Sequence, residues 1–359
     1  MRLVNIMDVE VNSIIAKPVY DSKLSLLINK GAKLSELLLK KLVQADIRHL
    51  YIEDVVSKGI ELDPMISDEI KLQAFVIMKK FYESQMIKQD QNIEAIRESS
   101  IRELKDIIDD IITEIYSKNE HKYYSTELMG AEMYHYNHAV EVMILSLLIG
   151  KKMGLDRERL LKLGMGAILA DIGKSRVPQE ILNKKGKLDT AEFEEMKHHV
   201  DYSYAILKDL VGLSPLSRQI VLLHHEKLDG SGYPNGFVGD QIPLLVRIVT
   251  VCDIFGAIVA DRTYNNRIPV DTAIEILRGA TPSKIDQDVF MTLLQVIDVY
   301  PPGTLVELGD GQMGIVILSN PNSPTRPILR IIDGTDQYQE LDLMQELTLF
   351  IKKVIPKLP

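Results

Sequence analysis

The 359-residue chain holds a single cysteine, Cys252, so it forms no intramolecular disulfide and cannot build a cysteine-rich zinc site. It also lacks long apolar runs. The most apolar stretch, Val142 to Ile149, is far shorter than the ~20 residues that span a bilayer. The opening residues, MRLVNIMDVEVNS, contain no continuous apolar segment of the signal-peptide kind. These absences predict a soluble protein of the reducing cytoplasm with no membrane insertion. Positive charge is short as well: Lys and Arg total 42 against 51 Asp and Glu, a net charge of −9. That balance argues against binding to a nucleic-acid polymer, which rests on neutralising phosphates with cations. A small anionic ligand stays open, because a metal or a few local cations can hold it. There is no internal repeat and no low-complexity tract.

The composition, 46% hydrophobic and 26% charged, is that of a globular protein long enough for two or three domains. Residues 1–62 read as a small α+β module. Val19–Tyr20 and Leu26–Ile28 flank a polar turn, Ser35 can cap a helix bearing Leu37, Leu38, Leu39 and Leu42, and Leu50–Ile52 reads as a returning strand. Residues 63–124 read as a helix pair, with Ile70, Ala74, Ile77, Met78 and Phe81 in one helix and Ile101, Leu104, Ile108, Ile111, Ile112 and Ile115 in the other. The polar segment from Lys88 to Ser100 is expected to separate them. Such pairs pack, transmit signals or form homodimers. Residues 125–298 read as helices joined by short polar loops. From 299 to 359 the texture turns to strands around a Gly-Asp-Gly turn, a small β appendage expected to end in a helix.

Six of the eight histidines, at 135, 138, 198, 199, 224 and 225, lie in this central helical region. A lone helix histidine is usually a satisfied polar residue. Two His-His pairs with aspartates nearby instead suit a transition-metal site. The most specific string is His224-His225-Glu226-Lys227-Leu228-Asp229-Gly230-Ser231-Gly232-Tyr233-Pro234, which fits the pattern HHExxDGxGYP. It resembles the HD-GYP family of the HD phosphohydrolase superfamily. Leu169 to Lys174 is similar to that family's HDIGK segment, Met196 to His199 to its MKxH helix, Val251-Cys252-Asp253 to its metal-binding aspartate, and Asp261 to Tyr264 to its DRPY turn. The resemblance covers roughly residues 125–303.

The resemblance implies a mainly α fold, an HD-type helical bundle between the two small modules. It also implies a two-metal site that hydrolyses cyclic di-GMP to pGpG or GMP. His138, Asp171 and Asp253 would hold one ion and His199, His224 and His225 the second, with Asp171 bridging. One or two divalent ions are implied, Fe or Mn ahead of Zn or Ni. A metal pair ~3.5–4 Å apart lowers the pKa of a bridging water and clamps the displacement. Lys174 would reach the scissile phosphate, and Arg262 another phosphate or a guanine edge. Gly230, Gly232, Tyr233 and Pro234 would form a loop beside the ligand. Tyr233 reads equally as a packed loop aromatic or as a ring against a nucleobase.

The chain departs from the family at Ala170, where the histidine of the HD pair is expected. Gly256 replaces an aspartate, Asn265 replaces a Lys or Arg, and Tyr134 takes the place of a glutamate that some relatives use for a third metal. His135 lies within one helical turn of His138 and either occupies the gap left at 170 or is an ordinary surface histidine. His198, turned about 100° from His199 on a helix, is not expected to bind metal. Lys184 to Lys187 reads as a solvated loop, and Cys252 as a buried thiol. Three functions follow: a cyclic di-GMP phosphodiesterase, weakened by Ala170; a degenerate relative that binds a nucleotide or protein without turnover; or a phosphohydrolase of another nucleotide.

Overall fold

A computed structural model describes residues 1–21, 25–86, 93–118, 121–125, 133–184, 186–260, 268–320, 323–332 and 339–357. The N-terminal module consists of β1 (Arg2–Asn5), β2 (Ile14–Ile15), β3 (Val19–Tyr20), β4 (Leu26–Ile28), α1 (Glu36–Gln44) and β5 (His49–Glu53). Strand β5 lies between β1 and β2 in an antiparallel sheet, and β3 pairs with β4 as the sequence predicts. Ser35 caps α1 by accepting from Leu38 N at 3.2 Å. The module closes over its own core of Val4, Ile6, Ile15, Leu34, Leu42 and Leu50.

Two long helices follow, α2 (Asp68–Met86) and α3 (Ile93–Ser117). Helix α3 starts within the segment expected to be a polar separator. Ser100 turns its hydroxyl onto the Ile96 carbonyl at 2.9 Å, and Glu94 and Glu98 face solvent, so these polar residues fit a helix after all. The isoleucine stripe of α3 buries Ile108, Ile111, Ile112 and Ile115.

The bundle continues with α4 (Tyr134–Lys152), α5 (Arg157–Leu169), α6 (Gln179–Leu182), α7 (Thr190–Lys197), α8 (His199–Leu207) and α9 (Pro215–Leu223). It closes with α10 (Leu244–Val259), α11 (Val270–Ala280) and α12 (Gln287–Val296). Helix α4 is buried from His138 to Gly150 and packs against α5, α10 and α12, so a residue on its inner face is enclosed by the bundle. The architecture is the mainly α fold expected from the sequence.

The C-terminal sheet contains β6 (Leu305–Leu308), β7 (Met313–Leu318), β8 (Ile328–Ile331), β9 (Glu340–Asp342) and β10 (Ile351–Val354), in the order β10-β6-β7-β8-β9. All its pairings are antiparallel. The terminal helix expected here is not found among the described residues. Ile351–Val354 instead pairs with the free edge of β6, and Glu307 on β6 takes Lys352 at 2.6 Å and Lys353 at 2.9 Å. Val306, Leu308, Val316 and Leu329 belong to the same core as the helices.

Candidate metal centre

Helix α4 supplies His138, the turn after α5 supplies Asp171, and α8 opens with His199. His224 caps α9, His225 follows it, and α10 supplies Asp253. These six residues, separated by up to 115 positions, meet in the bundle interior. They fall into two groups that share Asp171: Asp171 with His199, His224 and His225, and Asp171 with His138 and Asp253. In each group one ligand-capable atom per residue lies within 4.8 Å of all the others. Asp171 Oδ1 is 3.2 Å from His199 Nε2 and 3.6 Å from His224 Nε2. His138 Nε2 is 2.9 Å from Asp253 Oδ1, and His225 Nδ1 is 3.7 Å from Asp253 Oδ2.

Main-chain contacts hold this geometry. Gly173 N donates to Ser203 Oγ (2.7 Å), which donates to the Ala170 carbonyl (2.8 Å), so the Asp171 turn is fastened to α8. Only glycine fits at 173, because a Cβ there would stand 2.1 Å from the His199 carbonyl oxygen and 2.3 Å from Ser203 N. Thr250 Oγ1 donates to the His224 carbonyl at 2.7 Å and ties α9 to α10.

His199 Nδ1 donates to the Met196 carbonyl (2.7 Å) and His224 Nδ1 to the Val221 carbonyl (3.0 Å). In the neutral ring this contact fixes the tautomer that leaves Nε2, facing inward, free to bind a metal. Asp171 Oδ1, His199 Nε2 and His224 Nε2 are all buried, and none has a hydrogen-bond partner. Buried polar atoms are rarely left unmatched. Three of them converging as carboxylate oxygen and imidazole nitrogen fit a divalent transition metal.

The electrostatics agree with that donor set. Burial pushes the Asp171 carboxyl upward, but Lys174, His199 and His224 outweigh it and hold the group well below the usual carboxylate range. Asp253 behaves alike: burial opposes, and His138 and His225 hold it down. Burial lowers His199, with Asp171 opposing, and drives His225 well below its ordinary value together with the neighbouring His224. The aspartates are thus anionic and these two imidazoles neutral, the states in which both bind metals.

Lys174 reaches Asp171 Oδ2 at 2.6 Å. Tyr233 stacks on His225 with ring centroids 4.8 Å apart, and burial together with Asp171 and Asp253 raises its hydroxyl pKa. The loop carrying Gly230, Gly232, Tyr233 and Pro234 is pinned by Glu226, which is 1% exposed and accepts from Asn235 N (2.7 Å) and Phe237 N (3.0 Å). At Gly232 a Cβ would stand 2.4 Å from Glu226 Cα and from Lys227 N, so the loop lies directly on that backbone. The clamping roles of Glu226, Gly173, Ser203 and Thr250 are not legible in the sequence. Glu226 stands inside the HHExxDGxGYP string, but its loop contacts exist only in the folded chain.

His135 joins neither group among the described residues, and His198 is exposed and bonds Asp201 at 3.2 Å. Tyr134 stacks on His138 with ring centroids 5.3 Å apart. A Cβ at Gly256 would stand 3.3 Å from His138 Nδ1, a buried atom with no hydrogen-bond partner. Cys252 is buried, and burial pushes its thiol up to about 12. Arg262 and Asn265 lie outside the described residues. Ala170 is buried and offers only a methyl group to a cavity of about 10 Å³, roughly one water. The same cavity is lined by His138, Ala139, Val142, Ala167, Asp171, His224, Val249 and Asp253.

A helical bundle that converges histidines and aspartates on one shared carboxylate defines a candidate metal-dependent hydrolase. The HD domain family matches residues 105–289, and a KOW domain associated with HD domains matches residues 305–357. The chain belongs to the HD domain family. It is 32% identical over 226 residues to the cyclic di-GMP phosphodiesterase PA4108 of Pseudomonas aeruginosa, covering 63% of this chain and 54% of that protein. It is 30% identical over 271 residues to a cyclic di-GMP phosphodiesterase of Thermotoga maritima, covering 73% and 70%. With the 3′3′-cGAMP-specific phosphodiesterase 3 of Vibrio cholerae it shares 38% over 164 residues, covering 46% and 35%. The chain thus spans about half the length of the Pseudomonas protein and about a third of the Vibrio protein. Its fold is similar to that of Bd1817, an HDG"Y"P protein from Bdellovibrio bacteriovorus, at 16% identity with a TM-score of 0.51, covering 81% of this chain and 97% of that one.

Proposed function

We propose that the chain is an HD-GYP phosphodiesterase that opens cyclic di-GMP, giving pGpG or GMP, at a two-metal centre. The observation that carries this reading is the pair of ligand groups sharing Asp171. His199, His224 and His225 would hold one ion, His138 and Asp253 the other, with Asp171 between them. An imidazole and carboxylate set without thiolate suits Fe or Mn first and accommodates Zn or Ni. When bound, the metals supply an activated water and stabilise charge on the phosphoryl oxygens. The chain's own contribution is to fix those ligands and to place Lys174 beside Asp171. Tyr233, stacked on His225, would leave Gly232 and Pro234 to form the wall against the ligand. Arg262 is assigned a second phosphate or guanine edge on the strength of the resemblance alone.

A second reading, a receptor that binds the nucleotide without turnover, is favoured by Ala170. That position offers no lone pair where the HD pair calls for a histidine, and the first-site ligands reduce to His138, Asp171 and Asp253. Purified protein loaded with Mn²⁺ or Fe²⁺ would be incubated with cyclic di-GMP and, separately, 3′3′-cGAMP. Metal content and chromatographic product analysis would be read together. Linear product that disappears in His224→Ala supports the enzyme. Two ions per chain with nucleotide bound but no product sinks the enzyme reading and leaves the receptor. Neither binding nor product sinks both.

A further inference from the structure

A cavity of about 90 Å³ lies between the N-terminal module and the bundle. At about 10–15 Å³ per water it has room for roughly six to nine, the space of a one- or two-ring heterocycle. Lys17, Arg48 and Tyr51 line it from the module, and Tyr124, Glu141, Phe255 and Asp298 from the other side. The cations here are already matched within the protein. Lys17 Nζ donates to Asp68 Oδ2 at 2.7 Å, and Arg48 Nε donates to Asp46 Oδ1 at 3.4 Å. Glu141 in turn accepts from Lys71 Nζ at 3.5 Å and from the Tyr123 hydroxyl.

Tyr124 and Asp298 are different. They are 8% and 4% exposed, and among the described residues Tyr124 Oη and Asp298 Oδ1 are buried with no hydrogen-bond partner. The backbone sets them together. Tyr123 N donates to the Val296 carbonyl at 2.7 Å and Asp298 N to the Tyr123 carbonyl at 2.8 Å. These bonds make a parallel bridge between Tyr123 and Ile297, so Tyr124 and Asp298 are the next pair in register. Buried polar atoms are rarely left unmatched, and a phenol beside a carboxylate oxygen offers one guest both a donor and an acceptor.

We propose that this cavity binds a neutral, amino-substituted nitrogen heterocycle of nucleobase size. Asp298 Oδ1 would accept from its amino group, and the Tyr124 hydroxyl would donate to a neighbouring ring nitrogen or carbonyl. With Lys17 and Arg48 committed, an anionic guest has no cation to meet, and a purely apolar one would leave the carboxylate oxygen unmatched. The rings of Tyr51, Tyr134 and Phe255 in the lining suit a planar guest. The proposal does not depend on the phosphodiester reading. Its guest has two sources, a free heterocycle or a base of a nucleotide held at the metals, because His138 and Gly256 also line the cavity.

The test uses the full chain at pH 8, as parent, Asp298→Asn, Tyr124→Phe and His224→Ala. Calorimetry measures binding of 2-aminopurine, and thermal denaturation follows folding. Asparagine keeps an oxygen for Ser319 and turns an N–H into the cavity, where the guest needs an acceptor. Binding should weaken roughly tenfold or more in Asp298→Asn and roughly threefold or more in Tyr124→Phe. Neither variant should melt earlier than the parent, since one removes a buried charge and the other an unmatched buried hydroxyl. His224→Ala should bind like the parent. A parent without saturable binding, or unchanged affinity in both cavity variants, overturns the proposal. So does weaker binding accompanied by earlier melting in both, which makes the two residues structural. Binding lost in His224→Ala places the probe on the metal centre and overturns it too. Where the cavity is upheld, cyclic di-GMP that displaces the probe identifies the nucleotide's own base as the guest. Cyclic di-GMP that leaves the probe bound identifies a free heterocycle.

Discussion

At the scale of single residues, Ala170 carries the sharpest consequence. If a missing imidazole limits the first metal group, Ala170→His should raise metal content and cyclic di-GMP hydrolysis together. The surroundings oppose the change. The cavity beside the methyl group is about 10 Å³, room for about one water, while an imidazole is several times larger. Ala139, Val142 and Val249 would have to give way, at about 1–3 kcal/mol of stability for overpacking. The single variant should therefore bind more metal than the parent yet melt earlier, and Val142→Ala in the same chain should recover part of the loss. Metal analysis and thermal denaturation check both halves. A folded double variant that fills both groups without gaining turnover would shift attention to Gly256, whose missing side chain leaves His138 Nδ1 buried and unbonded.

At the scale of elements, the segment from His224 to Phe237 behaves as one unit because Glu226 closes it on itself. Glu226→Ala would leave two amides, of Asn235 and Phe237, without acceptors, at a cost of about 2–4 kcal/mol. Faster amide exchange should be confined to residues 233–238, with His199 and Asp171 unaffected. Exchange mass spectrometry that shows no local change removes the clamp from the account. This element also shows how far the sequence can be read. The clustered histidines stand out in the sequence, but the particular ligand set, with Asp171 and Asp253, is legible only through the resemblance to the HD-GYP motifs. The stripe of α3 is visible because isoleucines recur with the helical period. The clamp is not visible, since its acceptors and donors lie nine and eleven residues apart with no periodic relation. Strand β10 is missed for a related reason: Ile351–Val354 is short, and its partner is an edge of β6 that exists only once β6 and β7 have paired.

At the scale of the whole molecule, the bundle and the C-terminal sheet share one core, and Asp298 lies where they join. Its amide donates to the Tyr123 carbonyl at 2.8 Å, Ser319 Oγ donates to Oδ2, and Oδ1 is buried with no hydrogen-bond partner. Burial pushes the carboxyl up to about 6 from 3.8, with Ser319 and Lys122 offsetting only part of it. A folded-state value above the unfolded one means the native chain binds this proton more tightly. The resulting stabilisation is fully present below about pH 4 and is lost as pH rises through about 6. A shift of about two units is worth at most about 3 kcal/mol, and the real figure is smaller because the ionised group can relax toward water. Asp298→Asn removes the ionisation while its amide oxygen still accepts from Ser319. It should be more stable than the parent by about 1–2 kcal/mol at pH 8, with the gap closing as pH falls toward 4. Urea unfolding at pH 4, 6 and 8 measures that difference directly. The same advantage at every pH would assign the effect to packing instead. A parent at least as stable as the variant at pH 8 would mean that the carboxylate is satisfied in the native protein, and the junction would then carry no buried charge penalty.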